Sequence, residues 1–295
     1  MDERAALAML ADRLTTAGDD AAVIDEHLLT IDMLHATTDF PTGVSEYTVG
    51  WRTVGASLSD IAAMGGQPVA AVGVYGRPSF EAQALHAFVD GASDVCADVD
   101  AEYVGGDLDH HDEPTSVAAV LGSTVNTDGP IRRTGATPGD RVCVTGTLGR
   151  SAAGLALFEA GEDDRANDLF RFSPRVTAGK TLATHATAMI DSSDGLARSV
   201  HQVATASGCG IDITADRIPI DSAVDAVAET TEQRQEFGLF FGEDFELVCT
   251  VPPDHVAELK AKTSVTVTDI GTVTTEDVTI DGDPLPNRGY DHGTA

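Results

Sequence analysis

The chain has 295 residues, of which 48 are acidic and only 18 are basic, giving a formal net charge of −30. So few basic side chains cannot neutralise a phosphate backbone, which excludes nucleic acid as a partner. The longest apolar runs are too short to span a bilayer, and the first residues lack a signal pattern. We therefore expect a cytoplasmic protein that does not bind membranes.

The acidic residues are spread along the whole chain rather than collected in a tail. This distribution favours a solvated acidic surface that is adapted to high intracellular salt, because salt screens the repulsion between its charges. The halophilic interpretation accounts for most of the carboxylates. A functional role must then be sought in a small subset of them.

In chain order, the first half is predicted to alternate helices and strands. The pattern predicts a helix over 3–17, a turn at 18–20, a strand over His27–His35, a helix over Tyr47–Met64, a strand over Val69–Tyr75, a helix over Ser79–Asp98, a short strand into Gly105 and Gly106, and a strand over Thr115–Val125. This half is expected to form one domain, residues 1–130.

A turn-rich stretch from Gly129 to Asp140 predicts the boundary to a second domain, residues 131–295. The second half is predicted to contain strands at Arg141–Thr145, up to Ile190, near Ile211, at Phe245–Val251 and at Val265–Val273, with helices from Gly149, from Ser173 and over 195–207. Alternating helices and strands in both halves indicate an α/β (α+β) fold with two domains.

Residues 178–181, Ala-Gly-Lys-Thr, are similar to the end of a P-loop, but Pro174 stands where that motif needs glycine. The segment instead predicts a helix start, with Ser173 as the N-cap and Pro174 at the first helical position. The chain is therefore not expected to bind nucleotides as a Walker-type enzyme does.

Aspartates beside glycine or hydroxyl residues recur at the ends of the predicted elements. A single such aspartate is more often an N-cap or a turn residue than a ligand. Several of them interleaved with apolar strands favour a Mg²⁺ site, since this ion prefers carboxylate and phosphate oxygens. The candidates are Asp20, Asp32, Asp60, Asp107, Asp191 and Asp194.

Eight motifs occur in an order that resembles the thiamine-monophosphate kinase family, within the superfamily of aminoimidazole ribonucleotide synthetase. They are Gly-Asp-Asp-Ala-Ala (18–22), Ser-Leu-Ser-Asp-Ile-Ala-Ala-Met-Gly (57–65), Gly-Gly-Asp (105–107), Arg-Thr-Gly-Ala-Thr-Pro-Gly-Asp (133–140), Val-Thr-Gly-Thr-Leu-Gly-Arg-Ser-Ala-Ala-Gly-Leu (144–155), Ile-Asp-Ser-Ser-Asp-Gly-Leu (190–196), Gly-Glu-Asp-Phe-Glu-Leu (242–247) and Gly-Tyr-Asp-His (289–292). The resemblance implies an N-terminal mixed-sheet domain that forms a homodimer and a C-terminal α/β sandwich domain. It also implies transfer of phosphate from ATP to thiamine monophosphate.

The resemblance further implies roles for individual residues. Asp20, Thr30, Asp32, Asp60, Asp107, Asp191 and Asp194 match metal positions, and Asp60, Asp107, Asp191 and Asp194 are the candidate catalytic residues. Gly106, Asp107, Arg133 and Ser193 match nucleotide positions, and Glu243 and Tyr290 match positions that contact thiamine phosphate. Asp39 stands where the family often has a substrate-contacting histidine, and Leu108 stands where threonine is usual.

The candidate aspartates predict that the phosphate is transferred directly and in line, with the assistance of several Mg²⁺ ions. A phosphate monoester acceptor has a second pKa of about 6 and needs no general base. Arg133 is the one basic side chain that we expect at the phosphates, where its planar guanidinium can bind in a bidentate manner.

Three alternatives stay open at the level of sequence. The chain could be another enzyme of the superfamily, such as aminoimidazole ribonucleotide synthetase or selenophosphate synthetase. The latter normally has a reactive cysteine near its N-terminus, whereas the first cysteine here is Cys96. The chain could also bind Mg²⁺ and nucleotide without catalysis. Finally, His110 and His111 could bind Zn²⁺, although a solvated loop is the favoured interpretation.

Overall fold

The computed structural model describes residues 13–14, 18–125 and 129–290. The predicted helix over 3–17 lies almost wholly outside these residues. Within the described part, no helix combines the length and apolar character needed to cross a bilayer.

The first half forms a mixed sheet of five strands in the order β1-β2-β5-β3-β4. Its strands are β1 (Ala22–Ile24), β2 (His27–His35), β3 (Gln67–Arg77), β4 (Glu102–His110) and β5 (Thr115–Ser123). Strands β3 and β4 run parallel, whereas the other neighbours are antiparallel. This arrangement confirms the mixed sheet that was predicted for the N-terminal half.

Two helices, α1 (Glu46–Ala63) and α2 (Ala82–Ala97), belong to this half. Helix α1 begins at the N-cap Ser45, whose hydroxyl accepts a hydrogen bond from the Thr48 amide. The helix is followed by Gly65, which adopts a left-handed conformation with φ of 66°. Helix α1 is buried on nearly all sides, as expected of a helix that packs within a core rather than at a surface.

The second half forms a sheet of seven strands in the order β12-β11-β8-β10-β6-β9-β7. Its strands are β6 (Arg141–Thr145), β7 (Ala188–Asp191), β8 (Gly210–Ile213), β9 (Leu247–Val251), β10 (Val267–Thr274), β11 (Val278–Ile280) and β12 (Asp283–Pro284). Its helices are α3 (Arg150–Glu159), α4 (Asp163–Phe170), α5 (Val176–Leu182), α6 (Leu196–Ser207), α7 (Ser222–Val227), α8 (Thr231–Leu239) and α9 (Pro253–Lys262). The two-sheet α/β fold agrees with the fold class that was predicted.

One hydrophobic core is shared between the two halves. Leu58 and Ile61 of α1 belong to the same buried cluster as Met189 of β7 and Leu247 of β9. Helix α5 approaches α1 so closely that a Cβ on Gly179 would lie 2.2 Å from the Ala62 carbonyl oxygen. Helix α1 is therefore the element that joins the two sheets.

Two local predictions were wrong. The helix expected from Ser173 begins at Val176, and its N-cap is Arg175, which makes no side-chain capping bond. The strand expected to end near Gly106 continues to His110, so His110 lies in β4 and not in a solvated loop. The His110 ring packs on Phe80 with 4.5 Å between ring centroids, and this contact supports the longer strand.

Candidate active site

Helix α1 is fastened to strand β2 through two hydrogen bonds that involve carboxylates. The Ser57 hydroxyl donates to Asp32 Oδ2 at 2.7 Å, and the Thr30 hydroxyl donates to Asp60. Thr30 and Asp32 alternate with exposed residues along β2 and therefore face the helix. Ser57 and Asp60 are three residues apart and lie on one face of α1. Both carboxylates are thereby held between the sheet and the helix.

Asp191, at the end of β7, is brought to α1 from the second sheet. The Ser59 hydroxyl donates to Asp191 Oδ2 at 2.7 Å. Asp20, in the turn before β1, approaches from a third direction, and carboxylate oxygens of Asp20, Asp60 and Asp191 lie within 4.8 Å of one another. We call these three residues the carboxylate cluster. Residues far apart in sequence thus meet at the junction of the two sheets.

Burial and mutual repulsion raise the pKa values of these carboxyl groups. Desolvation, partly offset by Arg133, raises the pKa of Asp20 to about 7. Desolvation, opposed by the Ser57 hydrogen bond, raises the pKa of Asp32 to about 6. Desolvation and the neighbouring charges of Asp32 and Asp191 raise the pKa of Asp60 well above its ordinary range. A cation is needed to hold such a group of carboxylates ionised at neutral pH.

The carboxylate cluster fits a Mg²⁺ ion. Asp20 Oδ2 is buried and makes no hydrogen bond to any residue in the described ranges. A buried carboxylate oxygen without a donor carries a desolvation cost that a metal ion would relieve. The donors are hard oxygen atoms, which Mg²⁺ prefers over nitrogen or sulfur. Asp20, Asp60 and Asp191 are the residues placed to hold it.

Arg133 lies beside the carboxylate cluster. Its Nη2 donates to Asp20 Oδ1 at 2.9 Å, and its backbone amide donates to Asp19 Oδ1 at 2.9 Å. Asp19 also lies 3.4 Å from Nη1 of Arg132. The guanidinium therefore sits where phosphate oxygens near the cluster could replace its present carboxylate partner. Asp19, which was not among the predicted site residues, orients this arginine.

Asp39, Glu243 and Tyr290, predicted to contact substrate, line one cavity of about 490 Å³. The Tyr290 hydroxyl donates to Asp39 Oδ1 at 3.0 Å. Phe240 and Phe241 contribute aromatic side chains to the same walls. The cavity combines apolar rings with three carboxylates, those of Asp39, Glu236 and Glu243, a composition suited to a flat, cationic organic molecule.

Glu243 is positioned by an arginine that the sequence analysis did not select. Arg52 of α1 forms an ion pair with the Glu243 carboxylate, and its side chain is only 1% exposed. Its Nη1 also donates to the Phe170 carbonyl at 2.6 Å. The backbone of Glu243 adopts a left-handed conformation with φ of 62°, as does Phe245 with φ of 53°. Non-glycine residues in this conformation are strained, and such strain is concentrated at functional sites.

Asp244, the residue after Glu243, anchors the turn that carries Glu243 to helix α3. Its carboxylate accepts hydrogen bonds from the backbone amides of Gly149 at 2.5 Å and Ser151 at 3.0 Å, at the N-terminus of α3. A carboxylate is favourable at the positive end of a helix dipole. The turn that carries Glu243 is therefore anchored to both α1 and α3.

The loop after β7 connects the carboxylate cluster to the cavity. The Glu243 amide donates to the Ser193 carbonyl at 2.7 Å, and the Tyr290 amide donates to the Asp194 carbonyl at 3.1 Å. Ser193 and Asp194 come two and three residues after Asp191 of the cluster. Backbone hydrogen bonds thus hold the predicted substrate residues beside the predicted metal and nucleotide residues.

Gly106 and Asp107 were predicted to belong to the same site but do not belong to the carboxylate cluster. They line a second cavity of about 490 Å³ between β4 and α2, with Tyr75, Phe88 and Tyr103 among its walls. Asp107 pairs with Val74 on the neighbouring strand. The same line of directly paired residues crosses the sheet to Met33, whose side chain is exposed. Directly paired residues point to the same face. Asp107 therefore faces away from α1, unlike Thr30 and Asp32.

Sequence comparison places the chain among known proteins. The N-terminal domain model of the AIR synthase related proteins matches residues 18–124, and the C-terminal domain model matches residues 137–282. Thiamine-monophosphate kinase of Halobacterium salinarum is 53% identical over 99% of this chain and 100% of its own length. The chain belongs to the thiamine-monophosphate kinase family. The Escherichia coli family member is 32% identical over 93% of this chain and 90% of its own length.

Solved structures agree with this family membership. The structure of AaThiL complexed with AMPPCP and TMP has a TM-score of 0.90, with 27% identity over 99% of this chain and 97% of that chain. A HypE–HypF complex, at 20% identity and a TM-score of 0.75, shares the fold alone. The family resemblance that the ordered motifs indicated is confirmed.

Proposed function

We propose that the chain transfers the γ-phosphate of ATP directly to thiamine monophosphate, giving thiamine diphosphate and ADP. The observation that carries this proposal is the backbone connection between the carboxylate cluster and the cavity lined by Asp39, Glu243 and Tyr290. A metal site for phosphates beside a pocket for a cationic organic ring matches the two halves of thiamine monophosphate. This reaction is the last step of thiamine diphosphate biosynthesis.

The organic part of thiamine monophosphate fits the aromatic cavity. Its thiazolium ring carries a positive charge, which the carboxylates of Asp39 and Glu243 would stabilise and which the rings of Phe240 and Phe241 would attract. Asp39, in place of the family's frequent histidine, is already oriented by the Tyr290 hydroxyl. We propose that Asp39 contacts the substrate through its charge, a role that a neutral histidine could not fill.

The phosphates are proposed to lie between the carboxylate cluster and Arg133. Several Mg²⁺ ions bound to Asp20, Thr30, Asp32, Asp60, Asp191 and Asp194 would neutralise the phosphate oxygens during transfer. Arg133 would exchange its bond to Asp20 for bidentate bonds to a phosphate. Since the acceptor phosphate is ionised near neutral pH, none of the chain's residues has to act as a general base.

The nucleotide is proposed to use the second cavity together with Ser193. Gly106 lies on β4, where the absent side chain lets its backbone pack against Gly73. The apolar walls formed by Tyr75 and Phe88 suit a purine base. Leu108 in place of the usual threonine removes one hydroxyl from this region. We therefore assign the metal-binding role here to Asp107 alone.

A homodimer would complete this site. The outer face of the first sheet exposes a set of large apolar side chains, namely Leu29, Ile31, Met33, Val72 and Leu121. Contiguous apolar patches of this kind mark protein interfaces. Asp107 shares this face. We propose that two copies pair through it, so that Asp107 and Gly106 of one copy serve the nucleotide bound at the carboxylate cluster of the other.

The chain is further proposed to work in a salt-rich cytoplasm. The charge of −30 and the 53% identity to a Halobacterium salinarum protein support salt adaptation. The four cysteines are free thiols, which suits a reducing compartment.

A substrate comparison tests the proposal. The purified chain would be incubated in high salt with Mg-ATP and, separately, thiamine, thiamine monophosphate and selenide, with Asp60→Asn as the matched control. Only thiamine monophosphate should yield a new phosphorylated product. Selenophosphate formation would favour the selenophosphate synthetase alternative. Burial argues against that alternative, because it raises the pKa of Cys96 to about 12 and makes this thiol a poor nucleophile. Calorimetric binding of Mg-ATP without any product would favour a non-catalytic protein.

A further inference from the structure

Two histidines and a glutamate form a surface group that is separate from the carboxylate cluster. His255 and Glu258 are three residues apart on α9, and His185 lies in the turn between α5 and β7. His185 Nε2 lies 3.6 Å from Glu258 Oε1, and His255 Nδ1 lies 3.8 Å from Glu258 Oε2. One ligating atom from each residue lies within 4.8 Å of the other two, and all three side chains are half-buried.

The imidazole rings of His185 and His255 are stacked with 4.0 Å between centroids and 8° between planes. A neutral imidazole has one unprotonated ring nitrogen, and that nitrogen can bind a metal ion. Nitrogen donors combined with one carboxylate suit Zn²⁺ and similar transition-metal ions, whereas Mg²⁺ selects oxygen donors alone. The donor set therefore differs in kind from that of the carboxylate cluster.

Lys262 is the competitor for this site. Its ammonium group donates to Glu258 Oε1 at 2.6 Å, as an i,i+4 pair on α9. The lysine is 63% exposed, so it can leave the carboxylate at little cost. The stacked rings must also rotate about χ2, a soft torsion in histidine, because a metal binds an imidazole in the plane of the ring. Both adjustments involve side chains only.

We propose that His185, His255 and Glu258 form a binding site for one divalent transition-metal ion, of the Zn²⁺ class, with water as the remaining ligand. The ion would link α9 to the end of α5. Helix α5 in turn packs against α1 through the close contact of Gly179 with Ala62. The site would therefore restrain the packing of the helix that carries Asp60, without taking part in the reaction.

Calorimetric titration of the full chain with Zn²⁺, in high salt and saturating Mg²⁺, tests this proposal. Saturating Mg²⁺ occupies the carboxylate cluster, so the remaining Zn²⁺ site should titrate at one ion per chain. His255→Gln should weaken binding by more than the roughly 10–100-fold cost of losing an outer-shell partner. Lys262→Gln should strengthen binding, because it removes the competitor for Glu258. His111→Gln, in the other histidine pair, is the matched control and should bind as the unaltered chain does.

A second readout separates metal binding from general effects of the substitutions. Zn²⁺ should raise the thermal midpoint of the unaltered chain and of Asp60→Asn equally, but not that of His185→Gln or His255→Gln. The visible spectrum of Co²⁺ bound in place of Zn²⁺ should show nitrogen coordination that His185→Gln alters. Equal Zn²⁺ affinity in the unaltered chain and both histidine variants would overturn the proposal, as would Zn²⁺ binding that Asp60→Asn abolishes.

Discussion

Arg52 and Glu243 form an ion pair between the central helix and the strained turn at the substrate cavity. The guanidinium carbon lies 4.5 Å from the centroid of the Phe170 ring and 5.7 Å from that of Phe245. A buried guanidinium needs all of these partners, since desolvation of a charge is costly. The pair therefore fixes the direction of the Glu243 carboxylate toward the cavity.

Arg52→Met is expected to weaken binding of thiamine monophosphate more than binding of ATP. The substitution removes the ion pair that orients the Glu243 carboxylate. Breaking a buried pair from one side should also lower the free energy of unfolding by about 3 kcal/mol. Steady-state kinetics with each substrate varied, together with denaturant unfolding, measure the two effects.

The double variant Arg52→Met, Glu243→Leu is the control for this prediction. Replacing both partners by apolar residues should recover most of the lost stability, because no unpaired charge is left. Affinity for thiamine monophosphate should not recover. If the double variant regains normal KM values, Glu243 does not contact the substrate.

Asp60→Asn should abolish turnover and leave the fold intact. The carboxamide keeps the shape of the side chain and its bond to Thr30 but removes a charge from the carboxylate cluster. Loss of that charge should reduce kcat by about 10²–10³-fold or more. The metal-free variant should be at least as stable as the unaltered chain, because repulsion from Asp20 and Asp191 is relieved. An unchanged kcat would remove Asp60 from the site.

Binding of Mg²⁺ should strengthen as the pH rises from about 5 to 7. The pKa of Asp20 is raised to about 7 and that of Asp32 to about 6, from an ordinary value of 3.8. The metal-free folded chain thus retains protons that the unfolded chain has lost, and its stability falls as the pH rises through this range. Mg²⁺ must displace those protons.

Calorimetry in two buffers of different ionisation enthalpy measures this proton release. Protons should be released on Mg²⁺ binding at pH 6, and fewer should be released at pH 8. Arg133→Gln should increase the release at pH 8, because the arginine opposes the rise in the Asp20 pKa. A Mg²⁺ affinity that is constant between pH 5.5 and 8 would contradict the proposed ligands.

Ile31→Asp should convert the proposed homodimer into monomers and reduce activity. Ile31 is 68% exposed at the centre of the apolar face, where a buried charge in an interface would be unpaired. Ala206→Glu, which adds the same charge on the exposed surface of α6, should remain dimeric and active. Sedimentation velocity in high salt distinguishes the two variants. Equal sedimentation of both would place the interface elsewhere.

The sequence was sufficient to predict the bounds of the elements that have a clear periodicity. The alternation in β2 and the glycine pair after α1 placed these elements within a residue or two, and the ordered motifs identified the family. Ser173 was wrongly chosen as an N-cap because a serine before a proline satisfies the local rule. The helix starts later, at Val176, whose side chain packs in the shared core. Tertiary packing decided that boundary.

The geometry of the site was less accessible from the sequence. Aspartates beside glycine could be selected, but the sequence could not show that Asp107 lies on the face of the sheet opposite to Asp32, since that depends on the register of four strands. Arg52 carried one usable signal, since it is the one basic residue in helix α1. Its partner, 191 residues further on, could not be inferred from one sequence.

Transfer of labelled phosphate tests the central claim most directly. The chain would be mixed in high salt with Mg²⁺, thiamine monophosphate and ATP labelled at the γ-phosphate, and then quenched within a single turnover. We predict that the label appears in thiamine diphosphate and that no labelled protein accumulates. Labelled protein that forms before the product would contradict direct transfer, and release of labelled inorganic phosphate without thiamine diphosphate would contradict the proposed function.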